Sequence, residues 1–242
     1  MARSVTRFSP TGKGYLAAAW PRAAVFDCDG LLVDTARCWQ AAYHAAAAAV
    51  ERSLDGVDLA PLDGASVSSA AEILGGVLGC LVPERLLRSA LLETMGTFAP
   101  QAMPGAKRLL AVLDGRLPLA VASNAPADAV SIALGRTGLR SFLPVVVSAE
   151  EAGAGKPKPD VYLEACARLA VDPSDAIAFE DSAVGATAAQ AAGLTVVVVS
   201  RVPAAQALGD LVTARVDDRR VFEMFGLGGA SNGHLESGSP SP

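Results

Sequence analysis

Ala24-Val25-Phe26-Asp27-Cys28-Asp29-Gly30 decides how the rest of the 242-residue chain is read. A short apolar run that stops at Asp-x-Asp-Gly reads as a buried strand delivering acids to the carboxyl edge of a sheet, where ligands sit in open α/β folds. Two carboxylates one residue apart can share a hard cation and divide nucleophile and acid/base duties. Taken alone, the same residues also fit a strand followed by a polar turn. The rest of the chain must decide.

Directly after the acids, Leu31-Leu32-Val33-Asp34-Thr35 reads as a linker in which Asp34 or Thr35 caps a helix starting near Ala36 and carrying the alanine run at 45–49. From there to about residue 103 no parallel-sheet strand is expected. Helical spacing covers 68–81 and 83–98, the second with Pro83 at its start and Leu86, Leu87, Ala90 and Leu91 on one face. Residues 36–103 therefore read as an inserted helical cap, returned to the main body by Ala99-Pro100-Gln101-Ala102-Met103-Pro104-Gly105. Beyond it the pattern alternates: helices at 106–113, 127–134, 159–169 and 183–192, strands at 117–123, 145–148, 176–179 and 195–199. Short β-branched strands alternating with helices imply a parallel sheet with right-handed crossovers. The fold expected is α/β: a Rossmann-like parallel core from 23–35 and 104–225, interrupted by the small helical insertion.

Composition narrows the partners. With 51% apolar and 19% charged residues, the chain has the make-up of a packed globular protein. A formal charge of −5 and the lack of a basic block argue against nucleic acid or an anionic membrane as the main partner. Cys28, Cys38, Cys80 and Cys166 are scattered with no C-x-x-C, and His44 and His234 are the only histidines, so neither a zinc site nor a disulfide framework is expected. A reducing, cytoplasmic setting and a monomer or weak homodimer are the expectations. Residues 1–22 carry Arg3, Arg7, Lys13 and Arg22 without an acid, but their apolar stretch at 15–20 is shorter than a signal h-region. They read as an N-terminal extension, and the Gly-, Ser- and Pro-rich 226–242 as a flexible tail.

Polar groups close the strands in a fixed order: Asp27 and Asp29, then Ser123 and Asn124, then Lys156 at a helix entry, then Glu180 and Asp181. The sequences carrying them are F-D-C-D-G-L-L-V-D-T, V-A-S-N, G-K-P-K-P-D-V-Y and F-E-D-S-A-V-G. Together they resemble the haloacid dehalogenase-like superfamily, in its phosphatase and β-phosphoglucomutase-like branch, over roughly residues 23–200. The resemblance implies a helical cap entering after the first motif and returning before the second, as 36–103 does. It also implies Mg²⁺, held by a carboxylate oxygen of Asp27, the main-chain carbonyl of Asp29 and the carboxylate of Asp181, with Glu180 as an outer contact.

Phosphoryl transfer is dominated by positioning and electrostatics. Asp27, anionic without deprotonation, suits attack on phosphorus to give an aspartyl-phosphate. The resemblance assigns Asp29 to protonate the leaving oxygen and then to activate water. Ser123 can donate to a phosphoryl oxygen with Asn124 beside it, and Lys156 supplies fixed positive charge. Competing readings do not fit. An EF-hand counted from Asp27 would place Leu31, Leu32 and Cys38 where an oxygen ligand, Gly and Glu are needed. A dinucleotide fold would want glycines where the acids stand. Cys28 should point away from the acids along the strand, as a buried filler.

Within the resemblance, dehalogenases lack an aspartate at the position of Asp29. The phosphonate-cleaving branch uses a cap lysine, and 36–103 has none. The mutase branch has basic residues flanking the cap-loop glycine; here Gly64 lies between Asp63 and Ala65, Val67 replaces the other basic group, and Trp39 stands where the mutase cap has histidine. The insertion's four basic and seven acidic residues, net −3, favour a neutral leaving group over a polyanion. Trp39, Tyr43 and Gly64 are the candidate pocket residues, although an aromatic pair at i, i+4 also fits simple core packing. The expected function is Mg²⁺-dependent hydrolysis of a small phosphorylated metabolite, a sugar or alcohol phosphate. A β-phosphoglucomutase-like sugar phosphomutase and a non-catalytic phosphate-ligand binder on the same fold are the alternatives.

Overall fold

The computed structural model describes residues 21–199, 209, 211–213 and 216–225. Most of the N-terminal extension and the whole of the 226–242 tail lie outside them. Six parallel strands form the main sheet: β1 (Ala23–Phe26), β4 (Leu119–Ser123), β5 (Val145–Ser148), β6 (Ala176–Glu180), β7 (Thr195–Val199) and β8 (Leu211–Thr213), in the order β5-β4-β1-β6-β7-β8. β1 is central, pairing with β4 on one side and β6 on the other. The first motif is thus delivered to the middle of the sheet edge.

Both faces of the sheet are dry, which explains why its strands are apolar without alternation. Phe26, Val121, Phe179 and Val197 point to one face, against α4 (Ala106–Leu113), α5 (Ala127–Thr137) and α9 (Arg219–Met224). Val25, Ala120, Ala122, Ala178, Val196 and Val198 point to the other, against α7 (Asp160–Arg168) and α8 (Ala183–Ala192). Phe26 and Phe179 are register partners whose rings stack with centroids 4.8 Å apart.

The insertion is three helices, α1 (Ala36–Ala49), α2 (Val67–Leu78) and α3 (Glu84–Thr97), around their own apolar cluster. α2 starts and stops where its ends are satisfied. The Ser66 hydroxyl accepts from the Ser69 N–H at 3.2 Å, and Gly79, at φ +64°, closes the other end in the left-handed conformation. The reading over 68–81 therefore ran on past the true stop. Between body and insertion lies an unforeseen two-stranded antiparallel ribbon, β2 (Val33–Asp34) with β3 (Gln101–Ala102). Two residues per strand leave no periodicity, so the sequence of these segments reads only as linkers. β8, α9 and the one-turn α6 (Ala149–Ala152) also went unread.

The helical unit rests on α5, whose Ala129 belongs to the insertion's own buried cluster. Beside it, Arg88 of α3 pairs with Asp128 at 3.0 Å and with Glu150 at 2.8 Å. These groups are more than a third exposed, and exposed pairs contribute only about 0–1 kcal/mol. The buried contacts carry the stability. Phe179→Ala should cost about 3–5 kcal/mol, whereas Arg88→Ala should stay within about 1 kcal/mol. Chemical denaturation of both variants checks the contrast, and comparable losses would contradict it.

Candidate active site

Asp27 continues β1 by donating its N–H to the Phe179 carbonyl at 3.0 Å, which fixes its position before any side chain acts. It is 7% exposed, and its Oδ1 accepts from Lys156 Nζ at 2.5 Å. The same ammonium donates to Glu180 Oε1 at 2.5 Å and lies 5.2 Å from the centre of the Tyr162 ring. Tyr162, also buried, donates its phenol O–H to that Glu180 oxygen at 2.5 Å. The other oxygen, Oε2, accepts from the Asp181 N–H at 3.2 Å and the Ser182 hydroxyl at 3.2 Å. Glu180 is thereby tied on both sides, and its principal partner is the lysine.

Asp29 lies two residues further along the chain, bridged to Val33. Its Oδ1 accepts from Thr35 Oγ1 at 2.5 Å and from the Trp39 indole N–H at 3.3 Å, and its Oδ2 from Ser123 Oγ at 3.4 Å. Ser123 closes β4, and its oxygen also accepts from the Ala125 N–H at 3.0 Å. Asn124 is committed to main chain. Its Oδ1 accepts from the Lys156 N–H at 2.7 Å, and its Nδ2 donates to the carbonyls of Lys156 at 3.2 Å and Gly64 at 2.7 Å. It therefore fastens the lysine loop and the cap loop to the end of β4. Gly64 sits at the rim on that bond. Tyr43 is buried in the helical unit with its ring 5.8 Å from that of Trp39.

Two glycines make room for acids. A Cβ on Gly30 would overlap Asp181 Oδ2, and a Cβ on Gly185 would overlap the Glu180 carboxylate. Gly30 also turns the chain at φ +85°, which L side chains rarely adopt. Thr35 and Tyr162 are the site residues the sequence reading missed. Thr35 looked like a helix cap, and Tyr162 was only the last letter of G-K-P-K-P-D-V-Y, although it lies three residues after Pro159 on the turn facing the lysine.

Asp27, Glu180 and Asp181 each offer a carboxylate oxygen within 4.8 Å of the others. All are hard oxygen donors, as Mg²⁺ requires. Burial raises the Asp27 carboxyl from 3.8 to about 7, against the opposing pull of Lys156. Burial likewise raises Asp29 and, more strongly, Asp181, on which Asp27 and Glu180 add like-charge repulsion. A divalent cation would relieve that repulsion, so the residues present fit the ion.

The central edge of the parallel sheet thus gathers acids, a buried lysine and a serine hydroxyl, groups whose chemistry suits a phosphoryl group. The family model for haloacid dehalogenase-like hydrolases matches residues 21–193. Validoxylamine A 7'-phosphate phosphatase of Streptomyces hygroscopicus subsp. limoneus is 31% identical over 198 residues, 78% of this chain and 90% of that protein. Hexitol phosphatase B of Escherichia coli K12 is 30% identical over 201 residues, 78% of this chain and 86% of that protein. Among solved structures, a putative β-phosphoglucomutase from Thermotoga maritima aligns with a TM-score of 0.63 at 25% identity, covering 85% of this chain and 97% of that one. The chain belongs to the haloacid dehalogenase-like hydrolase family. Within it, the chain is a phosphatase.

Raised carboxyls make the metal-free fold pH-sensitive. The folded site holds protons that an unfolded chain releases above about pH 4, so these groups favour folding at low pH and lose that contribution as pH climbs through their folded values. Asp181→Asn should therefore raise the melting temperature of chelator-treated protein, and raise it more at about pH 7.5 than at about pH 5. An equal effect at both pH values would contradict the reading. By the same geometry, Gly185→Ala should cost about 1–3 kcal/mol through overpacking, a fall of roughly 2–12 °C in melting temperature.

Proposed function

We propose that the protein is a Mg²⁺-dependent phosphomonoester hydrolase acting through an aspartyl-phosphate on Asp27, with sugar or polyol phosphates as its substrate class. The observation that carries this reading is the division of labour between two neighbouring acids. Asp27 is paired with an ammonium, whose charge favours the anion a nucleophile requires, whereas the side-chain donors to Asp29 are neutral hydroxyl and indole groups, which suit a group that cycles its proton.

A carboxylate oxygen of Asp27 attacks phosphorus in line with the ester oxygen. The P–O bond to the leaving group breaks, and Asp29 gives its proton to the departing alkoxide. Asp29, now a carboxylate, takes a proton from water as that water attacks the phosphoryl group, which frees Asp27 and inorganic phosphate. Lys156 and the Ser123 hydroxyl offset the charge of the phosphoryl oxygens. Asp27 and Asp181, with the Asp29 main-chain carbonyl, would hold Mg²⁺, and Glu180 would hold the lysine. The ion would supply charge neutralisation between the acids and the phosphate dianion. Residues 36–103 form the cap that excludes bulk water.

The substrate class rests on the cap. Its loop at 62–67 brings acid where a second phosphate would need cations, which supports a hydrolase over a mutase with a bisphosphate intermediate. The hexitol and validoxylamine phosphatases point to the same kind of polyhydroxylated leaving group.

Phosphate release from an aryl phosphate and from a panel of hexitol and sugar phosphates tests the proposal. Activity should require Mg²⁺, vanish with chelator, and fall by at least about 10³-fold in Asp27→Asn. Metal-independent turnover, or turnover that survives Asp27→Asn, would overturn it.

A further inference from the structure

Glu180 and Asp181 stand side by side in the chain, but their carboxylates are occupied to very different degrees. A carboxylate presents about four lone-pair sites. Glu180 Oε1 accepts from Lys156 Nζ and from the Tyr162 hydroxyl, each at 2.5 Å, and Oε2 accepts from the Asp181 N–H and the Ser182 hydroxyl, each at 3.2 Å. Every site is taken. Glu180 is fully buried, and its carboxylate fills the space that a Cβ on Gly185 would need, which leaves it little room to turn. Among the described residues, by contrast, no side chain donates to the Asp181 carboxylate, and the lysine meets Asp27 at Oδ1 and leaves Oδ2 clear.

Tyr162 is the donor that completes the occupancy of Glu180. It is itself fully buried on α7, and its O–H serves Glu180, whereas the Lys156 ammonium divides itself between Glu180 and Asp27. Hard cations differ in how many oxygens they accept: Ca²⁺ takes about six to eight in flexible geometry, while Mg²⁺ demands a near-ideal octahedron and keeps several of its waters. We infer that Tyr162 is a positioning residue for the metal site: its hydroxyl keeps the last lone pair of Glu180 Oε1 from the ion, which limits the side-chain carboxylates on that ion to Asp27 and Asp181 and favours Mg²⁺ over Ca²⁺. The inference rests on the Mg²⁺-dependent reading above. Without the phenol O–H, three carboxylates whose oxygens already lie within 4.8 Å of one another can close on the larger ion.

Metal binding reads this without turnover. Chelator-treated protein would be loaded with Mn²⁺, and its displacement by Mg²⁺ or by Ca²⁺ followed through the electron paramagnetic resonance signal of free Mn²⁺. The ratio of the two displacing affinities is taken on one preparation, so a loss of folded protein cancels from it. Tyr162→Phe, which removes one oxygen and keeps the ring, should shift the ratio toward Ca²⁺ at least about fivefold, a modest effect beside the roughly 10–100-fold that outer partners exert on metal affinity. Glu180→Gln alone should leave the ratio within about twofold of native, because Glu180 does not touch the ion, and the double variant Tyr162→Phe/Glu180→Gln should do the same, because the freed ligand is gone. Glu180→Gln also carries the test if the phenylalanine variant does not fold, since loss of a ligand in contact with the ion would move the ratio. An unchanged ratio in Tyr162→Phe, a shift that survives in the double variant, or a shift in Glu180→Gln alone would each overturn the inference. Native protein that takes up no Mn²⁺, or gives it up to neither ion, would instead overturn the metal-dependent reading.

Discussion

Lys156 is the one ammonium around which the acids of this site gather, and its burial is the constraint on which the arrangement depends. A side chain only 3% exposed cannot keep its charge without partners, and Asp27 and Glu180 both meet it at 2.5 Å. Each partner is in turn held by something else: Asp27 by the ladder to β6, Glu180 by Tyr162, Ser182 and the space left at Gly185. Removing one member would leave a buried charge uncompensated. This interdependence ties the ends of β1 and β6 and the start of α7 into one electrostatic unit at the edge of the sheet.

That unit remains short of positive charge. Among the described residues four carboxylates, Asp27, Asp29, Glu180 and Asp181, converge where a single lysine stands; burial raises Asp27, Asp29 and Asp181, and like-charge repulsion adds to it at Asp27 and Asp181. A site in this state favours binding a cation and binding protons, and the proposed mechanism uses both tendencies. The stability sacrificed by placing acids in a dry position reappears as affinity for the species that relieve them.

The sequence disclosed the site better than it disclosed the joints. Asp27, Ser123, Lys156, Glu180 and Asp181 each follow an apolar strand or open a helix, so strand ends marked them. Sheet strands of four or five residues with both faces buried were legible because continuous apolar runs of that length have few other uses. The β2–β3 ribbon was not, since two residues carry no period. Thr35 was misread because a threonine before a helix is normally its cap, and only the structure shows its hydroxyl turned toward Asp29. Asn124 looked like a companion of Ser123, but its amide lies among main-chain groups that come together only after folding. Glu180 and Asp181 are adjacent in sequence, and the difference between them emerges only from what surrounds each one.

The helical unit is attached to the body by contacts of unequal kind. At its base the chain crosses twice through the β2–β3 ribbon, beside the Asp29 turn. At its tip a single neutral hydrogen bond joins Asn124 to Gly64, and at its flank Arg88 makes ion pairs that water can reach. Tip and flank contacts of this type contribute on the order of 1 kcal/mol each, so separating them costs little beside the covalent and hydrogen-bonded base.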